Sequence, residues 1–367
     1  MVIYILFLLW AIIMCYLSDK YKRLQNKRLE YFFFILVLAG AVYVYTIRWN
    51  VGTDFGTYRE IFYYATGRAK LADLLKGEKE KLFSIIDWII YQIHHKDYRF
   101  HSFVYGVIIY SMAFFTLKKN SAYCLFPVLF YILTHAYTFS FNGMRQGFAL
   151  TICFAAHMLL IEKKYKQYLF FIFLAMEIHI TTIMVLPFFF MGRLDIKNKK
   201  LIIFECVFLI AMLTIGSLWD NIMNILSGAG QDKLVNDYGS ALKSSHGTKP
   251  IRLIIQMPPI VVALWKYKNL KQNDYNNMLD YYINMSVFSA IFTVAGLRVV
   301  TLVRFASYFN IYQSLLIPRF FTAFKDKKDQ QIFNLALIVC YLAAWYVLLH
   351  VDSNLLPFRL MNGTRFN

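Results

Sequence analysis

The chain has 367 residues, of which 59% are hydrophobic, 19% aromatic and only 16% charged, against roughly a quarter charged in soluble domains. A soluble globule of this composition would be a core without enough polar surface to cover it, so the chain reads as an all-α, polytopic integral membrane bundle. The formal charge of +18 does not indicate nucleic acid, because no basic stretch with interleaved aromatics stands apart from the apolar runs.

Apolar runs predict spans at roughly 1–17, 31–47, 102–117, 121–137, 146–162, 201–217, 251–266, 277–296, 299–317 and 331–350, about 10 full spans within a single transmembrane domain, 1–367. Met1-Val2-Ile3-Tyr4 lacks the charged start of a signal peptide, so the first run reads as a retained span. The segment 48–101 reads as the first large external loop, and Leu82 to His94 within it as an amphipathic helix lying in the interface. The segment 167–190 is too long for one span and is interrupted by Glu177 and His179. It is expected to go out and back as two short helices, a broken re-entrant hairpin whose break lines a cavity or is buried in protein. The segment 218–250, rich in Gly and Ser, is expected to be a second external loop, either a lid or a connection. Cys15, Cys124, Cys153, Cys206 and Cys340 lie in apolar segments without a paired motif and read as small core residues.

Basic residues orient the bundle. Lys20 to Arg28, Lys118-Lys119, Lys163 to Lys166, Arg193 to Lys200, Lys266 to Lys271 and Arg319 to Lys328 all fall on the cytoplasmic side if the N-terminus is external and 167–190 returns on itself. Arg48, Arg145, His179, Arg298 and Arg304, with Arg359 near the tail, then fall together at the external face. Ionisable groups at membrane depth are costly and mark function, and arginines gathered at one face suit phosphate, which the guanidinium fork grips at two points.

The individual motifs agree with that reading. Arg48 is followed by Val51-Gly52-Thr53-Asp54 and Tyr58, with Gly52 permitting a tight turn and Asp54 expected near Arg48. Asn142 is expected to cap a helix that carries Arg145 and Gln146 in its first turn. A cation there opposes the helix dipole, and an anion held jointly by Arg145 and the helix N-terminus would account for it. Glu177 and His179 mark the break of the hairpin, where an imidazole can act as a base or donate to phosphate. Arg298 and Arg304 are expected on one helix, with Tyr308 one turn further on. Asp87, Glu205 and Asp280 also lie at or near membrane depth; they can pair with these cations and are assigned no role of their own.

Arg48 with Val51-Gly52-Thr53-Asp54 and Tyr58, then Met144-Arg145-Gln146, then Ala175 to His179, then Arg304-Phe305-Ala306-Ser307-Tyr308 resemble, in order, the EpsG-like family of bacterial exopolysaccharide polymerases. These are similar in role to the Wzy-type O-antigen polymerases. The resemblance implies a glycosyltransferase of GT-C-like architecture in the bacterial cytoplasmic membrane. It would join undecaprenyl-pyrophosphate-linked oligosaccharides at the external face. In this reading Asp54 is the catalytic base, with His179 the second candidate. Arg145, Arg298 and Arg304 grip the pyrophosphate, Arg48 assists, and Tyr58, Gln146, Glu177 and Tyr308 support them. No cofactor is implied, and a divalent metal bridging Asp54 and the pyrophosphate stays open; Asp54 alone is a poor metal site, since Mg²⁺ takes one or two carboxylates together with phosphates. Membrane lipid, a flippase and chain-length regulator proteins are the partners such a reaction admits. The rival readings are an O-antigen-ligase-like transferase, a lipid-linked oligosaccharide flippase or other transporter, and a membrane acyltransferase built around a histidine.

Overall fold

The computed structural model describes residues 1–76, 80–228, 248–351, 354–360 and 365–366. They form two compact units, one of residues 1–186 with 337–367 and the other of residues 187–336.

In the first unit, α1 (Val2–Arg23) and α2 (Lys27–Ile47) form a hairpin, and α6 (Tyr98–Lys119) packs on α2. Between α2 and α6 run α3 (Phe55–Glu60), a π-helical turn (Ile61–Thr66), α4 (Leu71–Lys76) and α5 (Lys81–Ile93). Two short helices, α7 (Leu125–Leu133) and α8 (Ala136–Asn142), lead into α9 (Met144–Ile161) and α10 (Tyr165–Ile178). A 3-10 turn (Ile180–Val185) follows, and after it α11 (Leu186–Met191), which belongs to the second unit from Pro187 onward. Beyond the helices, Phe358–Arg359 (β1) pairs antiparallel with Arg365–Phe366 (β2), a ribbon that the apolar periodicity does not announce.

The faces of α1 show what solvent it is built for. Tyr4, Phe7, Leu8, Ala11, Cys15 and Ser18 are buried at helical spacing. On the opposite face Leu6, Leu9 and Ile13 are more than half exposed. A soluble protein rarely leaves so wide an apolar stripe open, whereas lipid tails solvate it at no cost. Five helices among the described residues are long and apolar enough to cross a membrane: α1, α2, α6, α9 and Lys327–Val351. The chain is an all-α, multi-pass membrane protein.

Several polar groups inside the first unit are paired across elements, which a medium without water favours. Asp19 of α1 accepts from the amides of Cys124 and Leu125 at 2.8 and 3.0 Å and so satisfies the first turn of α7. Glu30 of α2 pairs with Lys118 of α6 at 2.5 Å, and the Lys22 ammonium donates to the Ala122 carbonyl at 2.7 Å. The basic clusters after α1 and after α6 therefore lie at one end of the unit. Because α2 and α10 run opposite to α6 and α9, Arg48, Arg145 and His179 lie at the other.

Several elements differ from their predicted form. The span expected at 121–137 is divided into α7 and α8 at Thr134 and His135. The Thr134 hydroxyl bonds back to the Phe130 carbonyl at 2.6 Å, and His135 takes a left-handed conformation with φ 63°. The stretch 299–317 is likewise interrupted, forming Val300–Asn310 and Gln313–Leu316. α12 (Lys199–Gly228) continues as helix well into the segment expected as the second external loop, and residues 229–247 lie outside the described residues. Cys15, Cys124 and Cys153 are buried as expected of core residues, but Cys206 and Cys340 are exposed on apolar helix faces. The expected break of 167–190 is present: α10 ends at His179, whose backbone is extended with φ −153°.

The second unit is organised by Phe188, whose ring meets those of Phe204, Phe208, Phe288, Phe292 and Phe309. Asp274 and Arg319 form an ion pair there.

The inter-helix cap predicts a stability effect. Asp19→Ala leaves the buried Cys124 amide and the part-buried Leu125 amide at the start of α7 without this acceptor and is expected to cost about 1–3 kcal/mol. Thermal unfolding in detergent checks this, and a melting temperature equal to that of the unsubstituted protein would show that water or lipid replaces the cap.

Candidate active site

The site of the first unit starts from Gly52, which has a φ of 97°. A Cβ at this position would lie 2.2 Å from the Phe141 carbonyl oxygen, so only glycine fits. The close approach brings the Thr53 amide onto the Asn142 side-chain oxygen at 2.7 Å. Asn142 is thus engaged by the loop and does not cap α9 as predicted; Gly143 occupies the cap position without a side-chain bond. Asp54, which begins α3, accepts from the Thr53 hydroxyl at 2.9 Å and is half-buried.

Arg48 lies at the end of α2 and is only 3% exposed. Its guanidinium sits 3.8 Å from the Tyr45 ring centroid, 4.8 Å from that of Phe141 and 5.5 Å from that of Phe55. Aromatic faces offset part of the loss of hydration of a buried cation. The C-terminal strand reaches the same corner, since the Trp49 amide donates to the Arg359 carbonyl at 2.8 Å and Arg48 bridges to Leu360. The Nε and Nη1 of Arg48 and the Nε of Arg359 are buried and have no hydrogen-bond partner among the described residues.

Arg145, in the first turn of α9, meets Glu80, the residue just before α5. Arg145 Nη1 is 2.5 Å from Glu80 Oε2, while its buried Nε has no partner among the described residues. The other Glu80 oxygen, Oε1, lies 2.8 Å from His179 Nδ1 and accepts the Ile180 amide at 3.2 Å. One carboxylate therefore joins Arg145 to His179. Burial pushes the Glu80 carboxyl up, but the His179 hydrogen bond, the Arg145 and His179 charges and the Ile180 amide outweigh it and hold it below the ordinary 4.5. Tyr58 is buried beside Arg145 and its hydroxyl accepts the Arg145 amide at 3.4 Å. The anion expected at Arg145 and the helix N-terminus is, within the chain itself, Glu80.

The remaining predicted residues fall as follows. Gln146 is buried next to Arg145, and Glu177 is half-buried on α10 two residues before His179. Arg298, Arg304 and Tyr308 belong to the second unit. Arg298 is not on the helix of Arg304 but in the turn before it, and donates to the Leu213 carbonyl at 2.6 Å. Arg304 is exposed rather than sunk in the protein, and Tyr308 beside it is buried. Asp87 makes no direct ion pair with an arginine among the described residues, although its charge acts favourably on that of Arg145. It is buried against His101 Nε2 at 2.9 Å and accepts from the Tyr105 hydroxyl at 2.7 Å. Asp280 accepts from Lys271 and Tyr267, and the buried Glu205 Oε1 has no partner among the described residues. Separately, a cavity of about 370 Å³ opens near the far end of α9 beside Lys119, Met158 and Glu162, away from Arg145.

Glu80 was not among the residues singled out above. It stands in Lys76-Gly77-Glu78-Lys79-Glu80-Lys81, a charge run that reads as a solvated loop. The signal available was the helix pattern that begins directly after it, which makes Glu80 the residue presented at a helix start.

The family model described as EpsG family matches residues 30–360. No curated protein matches the chain, and no solved structure matches it.

Two measurements follow from this geometry. Gly52→Ala is expected to destabilise the first unit, because the positive φ alone costs on the order of 1–3 kcal/mol and the Phe141 carbonyl must move as well. Unchanged unfolding of this variant would show that the loop re-seats freely. For Glu80 the folded carboxyl lies below its unfolded value, so its stabilisation is complete above about pH 4.5 and is lost as pH falls through the lowered value. Melting temperature on acidification should therefore fall more steeply in the unsubstituted protein than in Glu80→Gln. Parallel curves would mean that the pairing contributes nothing.

Proposed function

The chain belongs to the EpsG family, and from that premise we propose that it is a polysaccharide polymerase. It would be a membrane glycosyltransferase that joins oligosaccharide repeat units carried on undecaprenyl pyrophosphate, acting at the external face of the bacterial cytoplasmic membrane. The observation that carries this reading is the set of buried guanidinium nitrogens without partners among the described residues: Nε and Nη1 of Arg48, Nε of Arg145 and Nε of Arg359. A buried donor without an acceptor costs free energy, and more so on a charged group. Phosphate oxygens are the acceptors that a planar guanidinium matches best.

In this reading the pyrophosphate of the donor lies against Arg48 and Arg145, and its polyprenyl chain stays in lipid. The acceptor hydroxyl attacks the anomeric carbon as the bond to pyrophosphate breaks, and the arginines offset the charge that builds on the departing oxygens. Pyrophosphate leaves readily, so a single general base for the hydroxyl proton is the only proton-transfer group required. Asp54 and His179 are the two candidates, and Asp54 has the early external-loop position of the acidic residue in GT-C glycosyltransferases. One displacement inverts the anomeric centre. Arg298 and Arg304 are assigned by sequence alone and are tested one at a time.

The test uses purified protein with lipid-linked repeat units, scored for laddered product. Arg48→Lys keeps the charge but loses the fork, and Arg145→Gln removes the charge. Each is expected to lower polymer formation by roughly 10²-fold or more while the protein still inserts into membranes. A normal ladder from both variants overturns the arginine assignment. Movement of the lipid-linked unit across a vesicle bilayer without any ladder would favour a transporter instead, and transfer to a different acceptor would favour a ligase.

A further inference from the structure

We infer that Glu80 is a positioning residue that orders His179 as the base of the reaction, a step that rests on the polymerase reading above. An ionised carboxylate only accepts hydrogen bonds. With Glu80 Oε1 at 2.8 Å from His179 Nδ1, the imidazole proton belongs on Nδ1. The lone pair then sits on Nε2, which makes no hydrogen bond within the described residues. The arrangement has the logic of a base oriented by a third group.

Three features hold Glu80 to that task, and two more concern His179. Glu80 Oε2 is fixed by Arg145 at 2.5 Å, and its Oε1 also takes the Ile180 amide at 3.2 Å, so the carboxylate has no freedom to turn away. Its backbone is left-handed, φ 54° and ψ 41°, a conformation that a non-glycine residue keeps only where its surroundings impose it. His179 is anchored on both sides, its amide donating to the Ala175 carbonyl at 2.8 Å and its carbonyl accepting the Thr182 hydroxyl at 2.8 Å. The imidazole is 22% exposed, so the ring is held at Nδ1 without being sealed off. The titratable groups gathered around His179 are Glu80 before α5 and, through it, Arg145 of α9 and Tyr58 of α3, with Glu177 on its own helix.

The proton balance is simple. The acceptor oxygen forms its bond to the anomeric carbon, the carbon–oxygen bond to pyrophosphate breaks with the electron pair leaving on pyrophosphate, and the hydroxyl proton moves to His179 Nε2. The imidazolium formed lies against the Glu80 carboxylate, and its proton then passes to solvent.

The experiment measures kcat and KM for polymer formation across pH with the full-length protein and the variants E80Q, E80D, H179Q and E80Q/H179Q. E80Q is expected to lose about 10²-fold or more in kcat, with KM within about threefold and the acid limb of the kcat profile displaced. E80D should regain about tenfold of that loss, and the double variant should be no worse than H179Q, as expected of groups that act as a unit. The inference is overturned if E80Q stays within about threefold of the unsubstituted kcat, if E80D is no better than E80Q, or if the two single losses multiply in the double variant. An unsubstituted protein that makes no ladder rejects the polymerase reading rather than the ordering of His179. That ordering is read separately from the imidazole ¹⁵N shifts, with His179 identified by its absence in H179Q. Protonation at Nδ1 supports the inference, and protonation at Nε2 refutes it.

Discussion

The close approach of Gly52 to the Phe141 carbonyl joins the loop after α2 to the junction between α8 and α9. No residue with a Cβ can lie there, and the backbone bends through a φ that glycine alone adopts at little cost. Thr53 is thereby delivered to Asn142, and Phe55 and Phe141 come to flank Arg48. Four residues beyond Phe141, Arg145 opens α9 and faces Glu80. Residues far apart in the chain thus meet at one end of the first unit because one glycine permits backbone to touch backbone.

What gathers there is electrostatically unbalanced. Arg48 is buried among three aromatic rings, which offset part of its dehydration, while its Nε and Nη1 have no acceptor among the described residues. Arg145 is only partly answered by Glu80. Elsewhere in the unit the buried charges are matched, as at Glu30 with Lys118 and Asp87 with His101. Removing one partner of a buried pair is strongly destabilising, and the buried guanidinium donors at this end, unpaired among the described residues, are the observation on which the proposed phosphate site rests.

Arg48, Asp54, Arg145 and His179 were legible because ionisable residues stand out against apolar sequence and the penalty for burying them is known in advance. Glu80 was illegible for the opposite reason, since it is one charge among several in a hydrophilic run. Asn142 was misread because the local pattern of a helix cap carries no information about Thr53, a residue of a different loop. Arg298 and Arg304 looked like one helical pair at a spacing of six, yet a turn separates them. The span at 121–137 looked continuous because hydropathy is indifferent to the left-handed bend at His135.

Apolar length, helical periodicity and the distribution of Lys and Arg are local properties, and in a lipid solvent they leave the backbone few choices. Without water, each segment must satisfy its own amides, and a helix does so within itself. That is why the all-α membrane class could be read before any coordinate was known. Partner choice is another matter. Glu80 reaches Arg145 and His179 across long stretches of chain, and Asp19 caps a helix from another hairpin. Such pairings arise from how helices stack and where loops land, a geometry set by many weak contacts at once and carried by no short stretch of residues.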